Sequence, residues 1–473
     1  MNAKTKKSVI FRTLFWGVII IAIAGWLTRS LFHYEEEQKD AIRRIRERGY
    51  LIALTDQNTL NYFVYRGEPM GYQLMLLEAF SKYLGVPLKI ISSNKVSTLE
   101  YYLRNNAADL IALNLPVTFD GKKRVQFSNP FGETRLVLVQ RSLQGRNKDG
   151  ASFVKSIKEF PKDTLFVREN PYLSSFYHLI YRQSGRKAIL KEIPEISQED
   201  LILKVSKGEI RYALCQENVA RVYKRYYRNI DVSVVAYPHF KYSWGVTHAS
   251  DTLLTEINKW LGAYKSSGEL KKNYLEYFDN QRVVNSMQSD YFSVSGCCLS
   301  PYDDIFREQS KLVYWDWRLI ASLVYEESNF RQGQISTHNA IGLMQLIPET
   351  AAKFGIDSMS TPARQISGGI KYLRYLDAQL PEEISDPCER VYFVLAAYNV
   401  GIGRVLAARE KAEQFGKDKN KWNRHVDYYL LRRSKKDPQM KPDSASTYPI
   451  DYKTEGFVDN IITRYYHYRN LIR

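Results

Sequence analysis

In the last third of the chain, apolar positions recur at helical spacing. Leu319, Ile320, Leu323 and Val324 mark the buried face of a helix across residues 315–330, and Asp316 stands where its cap belongs. Glu326 follows Leu319 by seven residues and Glu327 follows Ile320 by seven, so both carboxylates fall at the edge of that face. Periodicity does not choose between them. A carboxylate drawn partly out of water has its charged form disfavoured and holds its proton toward neutral pH, as a general acid must. Further amphipathic helices are predicted over residues 361–380, after Pro362, over 388–410 with breaks at Gly401 and Gly403, and over 456–471.

The pattern before this is different. Short apolar runs at 50–55, 62–65, 87–91 and 108–115 read as strands, and amphipathic stretches at 73–84 and 97–105 read as helices between them. Strands alternating with helices predict an α/β domain with a mostly parallel sheet. Further signals of the same kind fall at 163–167 and 197–216, with a strand at 231–237, and the chain continues near 241–247 into a helix over 252–266. Residues 279–300 read as a linker.

At the N-terminus, Lys4, Lys6, Lys7 and Arg12 precede an uncharged run over 13–28, closed by Arg29. This is a secretory n-region and h-region, read as an uncleaved signal-anchor with a cleaved signal as the alternative. No Cys follows the run, which excludes a lipoprotein anchor at that point. The positive flank keeps the N-terminus in the cytoplasm and sends the rest outside.

Composition changes this picture little. The chain has 473 residues, 44% hydrophobic and 25% charged, as globular domains do. Its net charge of +17 suits an anionic membrane surface or a polyanionic cell wall; the Lys and Arg are dispersed without a nucleic-acid-binding motif, which argues against nucleic acid. Cys215, Cys297, Cys298 and Cys388 form neither a CxxC nor a Cys/His ligand pattern, so no metal and no cofactor are expected.

Three short motifs carry a resemblance. Glu327-Ser328-Asn329-Phe330, then Gly342-Leu343-Met344-Gln345, then Ala397-Tyr398-Asn399 resemble, in order and spacing, the signatures of the soluble-lytic-transglycosylase family. That resemblance implies a mainly α, lysozyme-like domain that cleaves peptidoglycan, with Glu327 as the acid and Glu326 a bystander. It implies substrate contacts from Ser328, Met344, Gln345, Tyr398 and Asn399, with the Tyr398 hydroxyl on Glu327. Two positions depart from the family: Asn339 stands where it often has Gly, and Phe457 where it often has Tyr, with Tyr448 or Tyr452 as substitutes.

Residues 71–90, 107–131 and 136–142 resemble the amino-acid-binding type of periplasmic solute-binding protein. The resemblance implies two α/β lobes holding a ligand between them. Here too there is a departure: Gly121 occupies the position of the Arg that clamps the ligand's carboxylate in that family. An amino acid, peptide or muropeptide ligand is left open.

The expected organisation is an anchor (1–33), a bilobal solute-binding-like domain (34–278), a linker (279–300) and a lysozyme-like catalytic domain (301–473). The expected activity is cleavage of the MurNAc-β-1,4-GlcNAc bond with 1,6-anhydro ends, in the periplasm of a bacterial envelope. The alternatives are a non-catalytic peptidoglycan sensor and a water-using muramidase with a second acid such as Asp357.

Overall fold

The computed structural model describes residues 40–142, 153–278, 298–336, 339–431 and 456–472. The expected membrane segment, nearly all of the linker, and Tyr448 and Tyr452 lie outside the described residues. The described chain forms two units: residues 40–62 with 71–278, and residues 63–70 with those from 298 onward.

In the first unit the predicted alternation is realised. Ala41–Arg48 (α1) leads to Leu51–Thr55 (β1), with Gly49 left-handed at the helix end. The hairpin Phe63–Tyr65 (β2) and Glu68–Met70 (β3) belongs to the second unit. Next come Tyr72–Leu84 (α2), Leu88–Ser92 (β4), Val96–Arg104 (α3) and Leu110–Pro116 (β5). β1 pairs in parallel with β4, Leu51 opposite Leu88, and with β5, Ala53 opposite Leu110. Leu99 and Leu103 of α3 bury against Leu54, Ile111 and Leu113 of these strands.

Gln126–Phe127 (β6) is a two-residue edge, and Gly132–Arg141 (β7) carries the chain into the second lobe. That lobe contains Thr164–Arg168 (β8), Ser174–Gln183 (α4), Ile189–Ile193 (β9), Gln198–Lys207 (α5), Tyr212–Gln216 (β10) and Glu217–Tyr226 (α6). β8 is parallel to both β9 and β10. The chain returns along Ile230–Val246 (β11), a strand of 17 residues that runs on past the end expected at 237. Register shifts between Asp231 and Phe240 interrupt its alternation, which is why the pattern breaks at Pro238 without ending the strand. β11 is antiparallel to β5 and to β7, and β7 is antiparallel to β10, so β7 and β11 bind the lobes into one sheet. Asp251–Ser266 (α7) and Glu269–Phe278 (α8) close the unit. Trp260 of α7 stacks on Trp244 of β11, whose indole donates to Gln73 Oε1 at 2.8 Å.

Among the described residues, the second unit is helical apart from its hairpin and isolated bridges. Its helices are Asp303–Gln309 (α9), Trp317–Ser328 (α10), Pro348–Lys353 (α11), Pro362–Gln379 (α12), Pro387–Val400 (α13), Ile402–Gln414 (α14), Asp427–Leu431 (α15) and Phe457–Leu471 (α16). Three start at a capping side chain: Asp316, Thr361 and Asp386 each accept from a backbone N–H of the first turn. α16 packs along α10 and against the hairpin. The Tyr468 hydroxyl donates to Gly67 O at 2.6 Å. The hairpin turns through Arg66 and Gly67, both at positive φ, as a two-residue connection requires. A Cβ at Gly67 would overlap the rings of Tyr325 and Phe330.

Candidate active site and solute cleft

α10 buries Leu319, Ile320, Leu323 and Val324, and delivers its last turn to the site. It ends because Asn329 and Phe330 are left-handed, with φ of 49° and 60°. Ser328 is buried there, its hydroxyl 3.0 Å from Val324 O and 2.8 Å from Leu343 O. A hydroxyl so placed ties the helix end to the second motif and faces the protein.

The second motif is a tight loop. Ile341 bridges Ile335 and Leu346, and Asn339 sits at φ 58°, the left-handed geometry expected where the family often has Gly. Gly342 has φ 76°, and a Cβ on it would overlap the carboxamide of Gln365. That carboxamide, from α12, accepts from Leu343 N at 2.9 Å and donates to Ser360 O at 2.9 Å. Met344 is 1% exposed, its sulfur pressed on Gly369 of α12. Gln345 turns its amide inward, donating to Gln334 O and Gly342 O.

The third motif closes the set. Tyr398 of α13 donates its hydroxyl to Met344 O at 2.6 Å, and not to Glu327 as the sequence reading had it. The three motifs thus meet at two consecutive carbonyls, Leu343 O from the first and Met344 O from the third. Asn399 is exposed beside them.

The two glutamates part company here. Glu326 accepts from Arg464 at 2.7 Å and from Asn460 at 3.0 Å, both on α16, and the Arg464 guanidinium lies over the Tyr325 ring. Glu327 is half-buried. Burial first, and the charge of Glu326 second, push its carboxyl up to about 8. The Tyr398 hydroxyl is driven well above its ordinary value by burial and by the nearby Glu327 charge. A neutral carboxylic acid beside a rigid loop is equipped to donate a proton. Asp357, by contrast, is exposed, and hydrogen bonds from Ser360 hold its carboxyl below the usual range. It serves the turn before α12.

Gln365, Asn460 and Arg464 were not singled out from sequence. Gln365 gives one signal, a polar residue on the buried stripe of α12 next to Gly368 and Gly369. Arg464 gives none, lying 138 residues from Glu326.

In the first unit, the carboxyl ends of β1, β5, β8 and β10 converge on a pocket whose polar lining includes Asp56, Asn114, Arg168, Glu199 and Gln216. Parallel sheets place ligands at that end. Gly121 does not line it: its N–H is capped by Thr118 Oγ1, and a Cβ there would stand 2.8 Å from Phe127, 2.9 Å from Thr118 Oγ1 and 3.0 Å from Tyr172.

Residues 51–280 match the family of bacterial extracellular solute-binding proteins, family 3, and residues 304–422 match the transglycosylase SLT domain. A membrane-bound lytic murein transglycosylase F of Pseudomonas fluorescens is 29% identical over 389 residues, 82% of this chain and 78% of that protein. One from Desulfosudis oleivorans is 25% identical over 458 residues, 96% of each. Among solved structures, a mutant of ArgBP from T. maritima overlays on 51% of this chain and all of its own, with 22% identity and a TM-score of 0.44. The chain therefore joins a solute-binding domain of family 3 to a transglycosylase SLT domain, and over most of its length it is similar to membrane-bound lytic murein transglycosylases F.

Proposed function

We propose that the second unit is a peptidoglycan lytic transglycosylase with Glu327 as its only catalytic carboxylate. The observation that carries this is the state of Glu327: half-buried, pushed up to about 8, and next to a Glu326 already engaged by Arg464. Glu327 protonates the oxygen linking N-acetylmuramic acid to N-acetylglucosamine, and that bond breaks. The muramyl acetamido group stabilises the cation left at the anomeric carbon. Glu327, now a carboxylate, takes the proton of the muramyl 6-hydroxyl, whose oxygen attacks the anomeric carbon. A 1,6-anhydro end forms, and no water is consumed. Gln345 and Asn399 flank the sugar, while Ser328, Met344 and Tyr398 keep the loop rigid.

The first unit binds a small solute, and residues 1–33 hold the chain in the bacterial envelope with both units in the periplasm. The net charge of +17 favours approach to the anionic wall. The test is digestion of purified peptidoglycan followed by mass spectrometry of the released fragments. Anhydro-muramyl ends support the reading. Reducing ends mean a hydrolase, and tight wall binding without release means a sensor.

A further inference from the structure

One face of α12 leads away from the catalytic loop. Gln365 holds Leu343 N, Gly369 receives the sulfur of Met344, and the Tyr372 ring meets that of Tyr398 with centroids 5.3 Å apart. These three residues stand at i, i+4 and i+7, so successive turns of the helix rest on the second and third motifs. The next turn carries Tyr375, whose ring is stacked with that of Tyr372 at 6.4 Å and 23°. Phe354, just after α11, is edge-on to Tyr375 at 5.8 Å and tilted against Tyr372 at 5.4 Å. The result is a continuous row of rings that begins at the motif tyrosine near Glu327 and ends at the surface.

Exposure rises along the row. Tyr398 is 9% exposed and holds Met344 O, Tyr372 and Phe354 are half-buried, and Tyr375 is 54% exposed. Packing accounts for the first three rings, each of which is covered by its neighbours. It does not account for Tyr375, which leaves much of its ring in water. A lone exposed aromatic needs no explanation. This one is the open end of a row whose other end lies in the site, so a polymer bound at Glu327 and continuing past the loop meets it next. A β-1,4 strand of N-acetyl sugars has the matching shape. Its ring substituents are equatorial, which leaves each pyranose with faces of C–H bonds and a polar rim. Such a face complements the electron-rich face of an aromatic ring, while the tyrosine hydroxyl stays at the wet edge.

We propose that Tyr375, backed by Tyr372 and Phe354, is a stacking subsite for one pyranose ring of the glycan strand beyond the bond that is cleaved. The stack is made equally before and during the reaction, so it contributes affinity for the strand and leaves the chemical step alone. Tyr372 keeps this platform in line with the motif loop through its contact with Tyr398. This rests on the reading that the second unit takes the glycan strand at Glu327.

The test is calorimetric titration of the purified full-length protein in detergent, carrying Glu327→Gln to stop turnover. The probe is peptide-free glycan strands, prepared from peptidoglycan with an amidase. Adding Tyr375→Ala should raise Kd by about threefold to tenfold, the worth of one aromatic stack. Tyr375→Trp should bind as tightly as the parent, because a ring face and not the hydroxyl makes the contact. Circular dichroism should be the same for all three proteins, since the side chain stands largely outside the core. An unchanged Kd in the alanine variant overturns the subsite. Equal weakening in the tryptophan variant also overturns it, since the loss would then come from a disturbed surface. Failure of the parent Glu327→Gln protein to bind strands at all overturns it as well. Release of anhydro-muramyl ends by the wild type is read separately, so the cleavage chemistry can fail while the subsite stands, and the subsite can fail while cleavage stands.

Discussion

The hydroxyl of Tyr398 donates to the backbone carbonyl of Met344 at 2.6 Å, one residue beyond the carbonyl that faces Ser328. The loop between the motif residues is therefore held on both sides, and its geometry relative to Glu327 is set before substrate arrives. Tyr398→Phe removes one hydrogen bond, for a loss of about 1 kcal/mol in stability. The larger effect falls on turnover: kcat should drop by roughly tenfold with KM little changed, because misplacement of a reacting group is felt in the rate. Steady-state kinetics on peptidoglycan fragments read the split.

Glu327→Gln should lower cleavage by about 10²–10⁴-fold, the range of a lost general acid and base. With its carboxyl pushed up to about 8, the wild-type rate should be flat on the acid side and fall as pH rises past about 8. Stability follows the same group. Its folded pKa lies above the ordinary 4.5, so its contribution is complete below 4.5 and is lost as pH rises through about 8. The Gln variant, neutral throughout, should therefore gain on the wild type between pH 5 and pH 9 in denaturant titrations.

Glu326→Gln removes the neighbouring charge but not the burial, the larger of the two causes. The alkaline limb of the pH–rate profile should move down by roughly 0.5. Arg464→Met acts otherwise. It leaves Glu326 without its ion pair and strips the cation from the Tyr325 ring, at a cost of about 1–3 kcal/mol in denaturant unfolding.

Gly342 and Gln365 should behave as a coupled pair. Gly342→Ala forces a Cβ into the carboxamide at positive φ, for about 1–3 kcal/mol. Gln365→Ala leaves Leu343 N–H without its acceptor, for a similar loss. In the double variant the steric part of the first loss disappears, so the sum should exceed the measured total by about 0.5–2 kcal/mol in a double-mutant cycle.

Much of this was legible in the chain because its causes are local. The capping Asp316, the helix start at Pro362, and the apolar spacing of α10 and α12 are sequence-near effects. Three short motifs in order were enough to single out the candidate site. What escaped depends on distant partners. Nothing within ten residues of Glu326 announces Arg464, and Ser328 looks the same whether its hydroxyl serves substrate or Leu343 O. The full length of β11 was hidden by bulges that break its alternation, a feature set by its partners β5 and β7. Residues 62–65 read as a strand in any setting, so neither the pairing with Glu68–Met70 nor the hairpin's membership of the second unit could be read from them.

That hairpin makes the two units inseparable as inherited pieces. A recombination event or an engineered cut in the linker would carry away residues 298–473 and leave behind the eight residues whose Gly67 carbonyl caps Tyr468 and whose backbone covers Tyr325 and Phe330. The excised fragment would keep every motif residue yet expose aromatic surface beside its acid. A domain swap between relatives should therefore succeed only when the short insert near the start of one unit travels with the whole of the other.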